Sequence, residues 1–98
     1  MSNYRLTLAA EIDLADILEY GEAHFGTSAA LEFYEGLLSV FPKIVDNPAQ
    51  FARIDEVRKG YCRAIYQTYY IYFIERENFI EITRVIRKLI IKVSLLFT

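Results

Sequence analysis

One cysteine, one histidine and no tryptophan occur among the 98 residues, and each shortage excludes a chemistry. A lone thiol, Cys62, makes no internal disulfide, and with His24 alone it cannot assemble a Cys/His zinc cluster. With four glycines and two prolines, the chain carries no linker, no low-complexity stretch and no glycine-rich phosphate loop. Residues Met1–Arg5 lack the charged and apolar regions of a signal peptide, so a cytoplasmic location is expected. What is present is a 54% hydrophobic and 24% charged chain of single-domain size, which calls for a packed core and rules out disorder.

The net charge of −2 conceals an asymmetry. Residues 1–50 hold two bases and eight acids, a balance of −6, whereas residues 51–98 hold nine bases and five acids, a balance of +4. The second half is thereby suited to a phosphate backbone or an acidic protein partner.

Tyr4, Leu6 and Leu8 alternate with Arg5 and Thr7, the period of a short strand. From Ala9 the spacing becomes helical, with Ala10, Leu14, Ile17, Leu18 and Phe25 on one side. Glu11, Asp13, Asp16, Glu19 and Glu22 read as the solvated side, too spread around the helix to converge on a metal. Gly26 ends this helix and Thr27 or Ser28 caps the next. The second stripe runs Leu31, Tyr34, Leu37, Leu38, Phe41, Ile44 and Val45 to a stop at Asn47-Pro48, and Pro42 predicts a break near Ser39–Phe41. After a loop over 46–60 come three strands, Tyr61–Tyr66, Tyr69–Glu75 and Phe79–Ile86, with turns at Gln67-Thr68 and Arg76–Asn78. The middle strand is apolar on both faces, as a central strand is. The fold class is α+β over a single domain, residues 1–98: an N-terminal strand and an antiparallel helical hairpin on one face of an antiparallel sheet, in the order β-α-α-β-β-β. With Ile80 and Ile82 toward the helices, Glu81 and Thr83 fall on the open face.

Few residues point to chemistry. His24 reads as a surface group at a helix end, and Cys62 as a small buried hydrophobe with no histidine beside it to activate it. The tyrosines 66, 69, 70 and 72 read first as packing residues and second as a base-stacking surface. The densest charge lies in Arg53–Arg63, where Asp55 or Glu56 is expected to pair with Arg58 or Arg63 and pin the loop to the sheet. The same arginines form a recognition patch at the sheet rim.

Leu6–Ala10, Asp13-Leu14-x-x-Ile17-x-x-Tyr20, Phe25-Gly26, Ala30, Tyr34 and Asn47-Pro48 form an ordered series. It continues through Arg53-x-Asp55-Glu56-x-Arg58-x-Gly60-x-x-Arg63, Tyr70–Phe73 and Ile82–Ile86. Together they resemble the ParE/RelE superfamily of bacterial toxins from type II toxin–antitoxin pairs, the ParE branch in particular. The resemblance implies a toxin silenced by a cognate, ParD-like antitoxin, in a complex of two or more chains. In the ParE branch the target is DNA gyrase, trapped on cleaved DNA, and such pairs serve plasmid stabilisation. In the RelE branch the protein is an endonuclease that cuts ribosome-bound mRNA. A nuclease of that kind needs a cation for the phosphorane charge and an acceptor for the 2′-hydroxyl proton. Arg63 and Arg84 suit the first task. For the second, Lys59 is loop-borne and no tyrosine follows the last strand, a deficit of ~10²–10⁴ in rate.

The expectation is therefore a binding toxin with no catalytic residue, metal or cofactor. Its target contacts are assigned to Arg58, Arg63, Arg84 and Arg87, and its antitoxin groove to Leu31, Tyr34, Leu38, Tyr70 and Tyr72. Asp13, Leu14, Ile17 and Tyr20 are read as structural. The tail 88–98 departs from the family: Arg87 stands where a histidine is usual, and an apolar segment comes after it. That segment, Leu89–Phe97, is far short of the ~20 residues that span a bilayer. Strand extension, a helix over the open face and dimerisation are all open to it, as is loss of toxicity with antitoxin binding retained.

Overall fold

In the computed structural model residues 3–88 are described; the tail beyond Lys88, with the expectations attached to it, lies outside them. The elements are β1 (Tyr4–Leu6), α1 (Leu8–Phe25), α2 (Thr27–Leu38), α3 (Val40–Asp46), a 3₁₀ turn (Pro48–Gln50), β2 (Ala52–Arg53), β3 (Tyr61–Tyr66), β4 (Tyr69–Glu75) and β5 (Ile80–Arg87). The strands form one sheet in the order β1-β5-β4-β3-β2. β4 is central, as its two apolar faces require. The meander β2–β5 is antiparallel, but β1 pairs with β5 in parallel, with Tyr4 opposite Ile80. The sheet is therefore mixed, because the hairpin carries the chain from β1 back across one face of the sheet before the meander begins.

β1 stops two residues sooner than alternation predicts. The Thr7 hydroxyl accepts a hydrogen bond from the Ala10 N–H at 3.1 Å and donates one to the Thr83 carbonyl at 2.8 Å, so Thr7 caps α1 while tying it to β5. A satisfied helix N-terminus outweighs one more strand residue, and Leu8 is left exposed on the first turn. Gly26, at φ +88°, turns the chain from α1 into α2, and its N–H reaches the Glu22 carbonyl. No side chain caps α2; Gly26 takes the position expected of Thr27 or Ser28. The break near Pro42 falls at Ser39, whose hydroxyl donates to the Gly36 carbonyl. Pro42 then sits in the first turn of α3, where its missing N–H costs nothing.

The core lies between the hairpin and one sheet face. Phe41, Leu37 and Ile44 from the helices meet Ile71, Phe73, Ile80 and Ile82, all fully buried. Cys62 belongs to this core, and burial pushes its thiol pKa up. Gly36 of α2 faces the Tyr66 hydroxyl so closely that a Cβ there would overlap it. Tyr66 is wedged edge-on against Phe33, with centroids 5.3 Å apart, and cannot swing clear without losing that contact. Gly36→Ala is expected to destabilise by ~1 kcal/mol in urea unfolding, because overpacking at ~1–3 kcal/mol outweighs the ~1 kcal/mol gained in helix propensity.

β5 holds the main irregularity. Tyr72 pairs with Arg84 but Phe73 pairs with Ile82, so Thr83 is an extra residue in the ladder, a β-bulge. Thr83 is buried and its hydroxyl donates to the Tyr72 carbonyl at 3.2 Å. This corrects the simple alternation that placed Thr83 on the open face. Past the bulge the faces exchange, with Val85 joining the helix-side core and Ile86 the other side.

Candidate functional site

Away from the helices the sheet carries a second, smaller apolar cluster. Cross-strand partners share a face, which places Arg63 beside Tyr72, and Ile65 and Ile86 on either side of Tyr70. Ile54 and Ile86 are buried there with Tyr72, and Tyr61 and Tyr70 pack against them. The Arg63 guanidinium lies over the Tyr70 ring, Cζ 4.3 Å from its centroid, and Lys88 Nζ lies 5.6 Å from the same ring. Tyr70 and Tyr72 meet edge to face at 6.0 Å. Burial raises the Tyr72 phenol pKa, and a hydrogen bond donated by Arg63 partly offsets that rise. Arg63 Nε is buried with no acceptor among the described residues. Arg58 adds a cation 5.8 Å from the Tyr61 ring. Guanidinium groups held flat on aromatic faces are preorganised for carboxylate, phosphate or π-face recognition.

The loop that borders this face is pinned, but not by the pairs expected. Asp55 accepts two hydrogen bonds from Arg53, at 2.9 and 3.1 Å, and a third at 2.8 Å from the Gly60 N–H. Arg53, not Arg58 or Arg63, is its partner. These bonds hold the Asp55 pKa below its ordinary 3.8. A carboxylate depressed in this way adds order above its unfolded pKa and loses it as pH falls through the folded value. The Gly60 amide resonance is therefore expected to hold steady from neutrality to about pH 4 and to shift only below it. A titration of that amide centred at or above the ordinary Asp value would contradict this.

Arg84 is held elsewhere. Its Nε and Nη2 donate to Asp13 at 2.8 and 3.0 Å, and Asp13 also accepts the Val85 N–H at 2.9 Å. The two side chains are 18% and 13% exposed. Asp13 thus leaves the solvated face assigned to the α1 carboxylates and joins α1 to the bulged strand. Leu14 and Ile17 are buried beside it, while Tyr20 is exposed, stacked on His24 with centroids 3.9 Å apart.

The expected groove divides. Leu31 is exposed on α2, Tyr34 and Leu38 pack onto the main core, and Tyr70 and Tyr72 lie on the opposite sheet face. The groove that does form, about 700 Å³, runs between the tip of the hairpin and the β3–β4 turn. Tyr20, Phe25, Phe33, Tyr66 and Tyr69 line it with Arg87 and Glu32. Two small lining residues let α1 and α2 approach closely at its wall, where a Cβ on Gly21 would stand 3.2 Å from Ala30 Cβ. Arg87 Cζ lies 5.7 Å from the Tyr20 ring at its rim. Sequence reasoning missed Phe25 and Phe33; the one available signal was an aromatic directly before the glycine that turns the hairpin. No group of three metal-ligating side chains occurs among the described residues, and no described helix is long and apolar enough to cross a membrane.

Residues 4–89 match the model of a family described as the ParE toxin of the type II toxin–antitoxin system parDE. The fold is similar to a chain of the chromosomal ParDE TA system from P. aeruginosa, with a TM-score of 0.78 and 20% identity over 89% of this chain and 95% of that one. At this identity the likeness carries the fold alone. No curated protein matches the chain in sequence.

Proposed function

The chain belongs to the ParE toxin family of type II toxin–antitoxin systems, and from that premise we propose that it arrests growth by docking on DNA gyrase and is neutralised by a cognate antitoxin. The observation that carries the docking half is the open sheet face. Arg63 lies on Tyr70 with no carboxylate partner among the described residues, between Lys88 and the Arg58–Tyr61 pair. Target contact falls to Arg58 and Arg63 on this face and to Arg87 at the groove rim. Arg84, already bound by Asp13, ties β5 to α1 instead. A surface of this kind grips; Tyr72, the cross-strand partner of Arg63, is buried at 2% exposure, poorly placed to take a proton from a substrate. The antitoxin is the acidic partner drawn by the +4 half, with apolar side chains entering the groove beside Phe25 and Phe33. This moves its seat from Leu31, Tyr34 and Leu38 to the hairpin tip.

Induced expression in a bacterial host, with recovery of gyrase–DNA cleavage complexes, tests the reading. Growth arrest with accumulated complexes, relieved by the antitoxin encoded beside the toxin, is the expected result. Arrest without complexes but with cuts in ribosome-bound message would replace it with the nuclease reading. No arrest, with antitoxin binding intact, would identify a non-toxic relative.

A further inference from the structure

Charge is divided between the two layers of the fold more sharply than between the two halves of the sequence. The hairpin, residues 8–38, holds seven acids and no lysine or arginine, and all of those acids except Asp13 are exposed. The segment 52–88, which supplies the meander and its loop, holds eight bases and five acids. Asp55 is taken by Arg53, Glu81 by Arg76 and Asp13 by Arg84. Glu75 and Glu77 lie at the far end of β4, where it turns into β5. On the open face two cations gather on one ring: Arg63 Cζ stands 4.3 Å and Lys88 Nζ 5.6 Å from the Tyr70 centroid. Neither has a carboxylate partner among the described residues. Like charges drawn to one ring repel each other, and an anion that meets both relieves the strain between them. We infer that the open face takes the phosphate backbone of duplex DNA, with Arg63 and Lys88 each meeting a phosphate and the acidic hairpin turned away.

Two features select this occupant. A face of one sign, backed by a layer that repels polyanions, orients the molecule on a partner whose negative charge is uniform along its length. Single strands and RNA loops are instead held by bases stacked on bare aromatic rings, and this face offers none. Tyr70 lies under Arg63, Tyr61 carries Arg58, and Tyr72 is buried. Contacts to phosphate alone carry no sequence information, so the grip is the same on any duplex. The inference rests on the reading of this face as the target contact, and it names the DNA held by the target as what the face meets.

The test is fluorescence anisotropy of two labelled duplexes of unrelated sequence, titrated with the full-length chain in the absence of gyrase. Both should bind equally, with Kd of ~1–100 μM at low salt and a slope of log K against log salt of about −2 or steeper. Arg63→Gln and Lys88→Gln should each weaken binding ~10-fold near 0.1 M salt and take ~0.9 off the slope. Lys88 is exposed, so its variant keeps the test decisive should Arg63→Gln fail to fold. Glu22→Gln, on the hairpin, should leave the slope as it is. Binding that neither cationic variant alters would overturn the proposal. So would a single strand of the same length binding more tightly than the duplex, which would point to stacking, or displacement of the DNA by poly-glutamate at equal charge, which would point to an acidic protein. An unbound duplex would refute this contact and leave gyrase docking standing, whereas duplex binding without cleavage complexes in the growth assay would refute the gyrase reading alone.

Discussion

Replacing Asp13 by alanine is expected to lower the unfolding free energy by about 2–3 kcal/mol and the melting temperature by ~10–20 °C. The substitution removes the acceptor of three hydrogen bonds at once, two from Arg84 and one from the Val85 N–H. A half-buried guanidinium without its carboxylate costs less than the ~3–5 kcal/mol of a fully buried orphan, and the 18% and 13% exposure of the pair sets the lower figure. The Arg84 pKa is raised chiefly by the hydrogen bond to Asp13, with burial opposing it, the sign expected where pairing overcomes desolvation. A double-mutant cycle with Arg84→Ala should return a coupling above ~1 kcal/mol that persists in high salt, unlike an exposed pair. A coupling below ~0.3 kcal/mol would return Asp13 to the solvated side of α1.

The second large effect concerns activity. Arg63→Ala is expected to weaken target binding by ~10–100-fold, the size of a charge-assisted contact of about 1.5–3 kcal/mol. The fold should lose only ~1 kcal/mol, for the hydrogen bond to Tyr72 and the cover over Tyr70. Arg63→Lys should recover little of the binding, because an ammonium cannot stack flat on the ring. Growth arrest by the alanine variant equal to that of the parent, at equal protein level, would remove the open face from the contact. Arg84→Lys serves as the comparison, since its loss should track stability and not target affinity.

Much of this fold was legible because the signals are local. The strands 61–66 and 69–75 agree with the sequence reading to the residue, for the turn between them separates two runs rich in aromatic and aliphatic residues. The hairpin and its break before Pro42 were equally plain. The helix start was missed by one residue and the strand end by two because Leu8 continues the strand alternation, and Thr7 gives no sign in the sequence that its hydroxyl will bond across to Thr83. Asp55 was expected to pair with a later arginine; the one two residues before it lay closer.

Taken alone, the order of residues determined the α+β class, the helical hairpin with its break, the strands β1 and β3–β5, the central place of β4 and the division of charge between the halves, but not the 3₁₀ turn or β2 inside the loop read over 46–60. Each of these rests on periodicity within a few residues, which is how backbone geometry selects side chains for one face. Only the tertiary structure decided which arginines stay available and where a groove opens. Asp13 and Arg84 are 71 positions apart, and the bulge at Thr83 exchanges the faces of β5 with no mark in its alternation. The groove likewise draws its lining from residues far apart in sequence, Tyr20 and Phe25 at the hairpin and Tyr66 to Tyr69 at the β3–β4 turn. Such pairings are set by distances through space, so they come into being only when the layers pack.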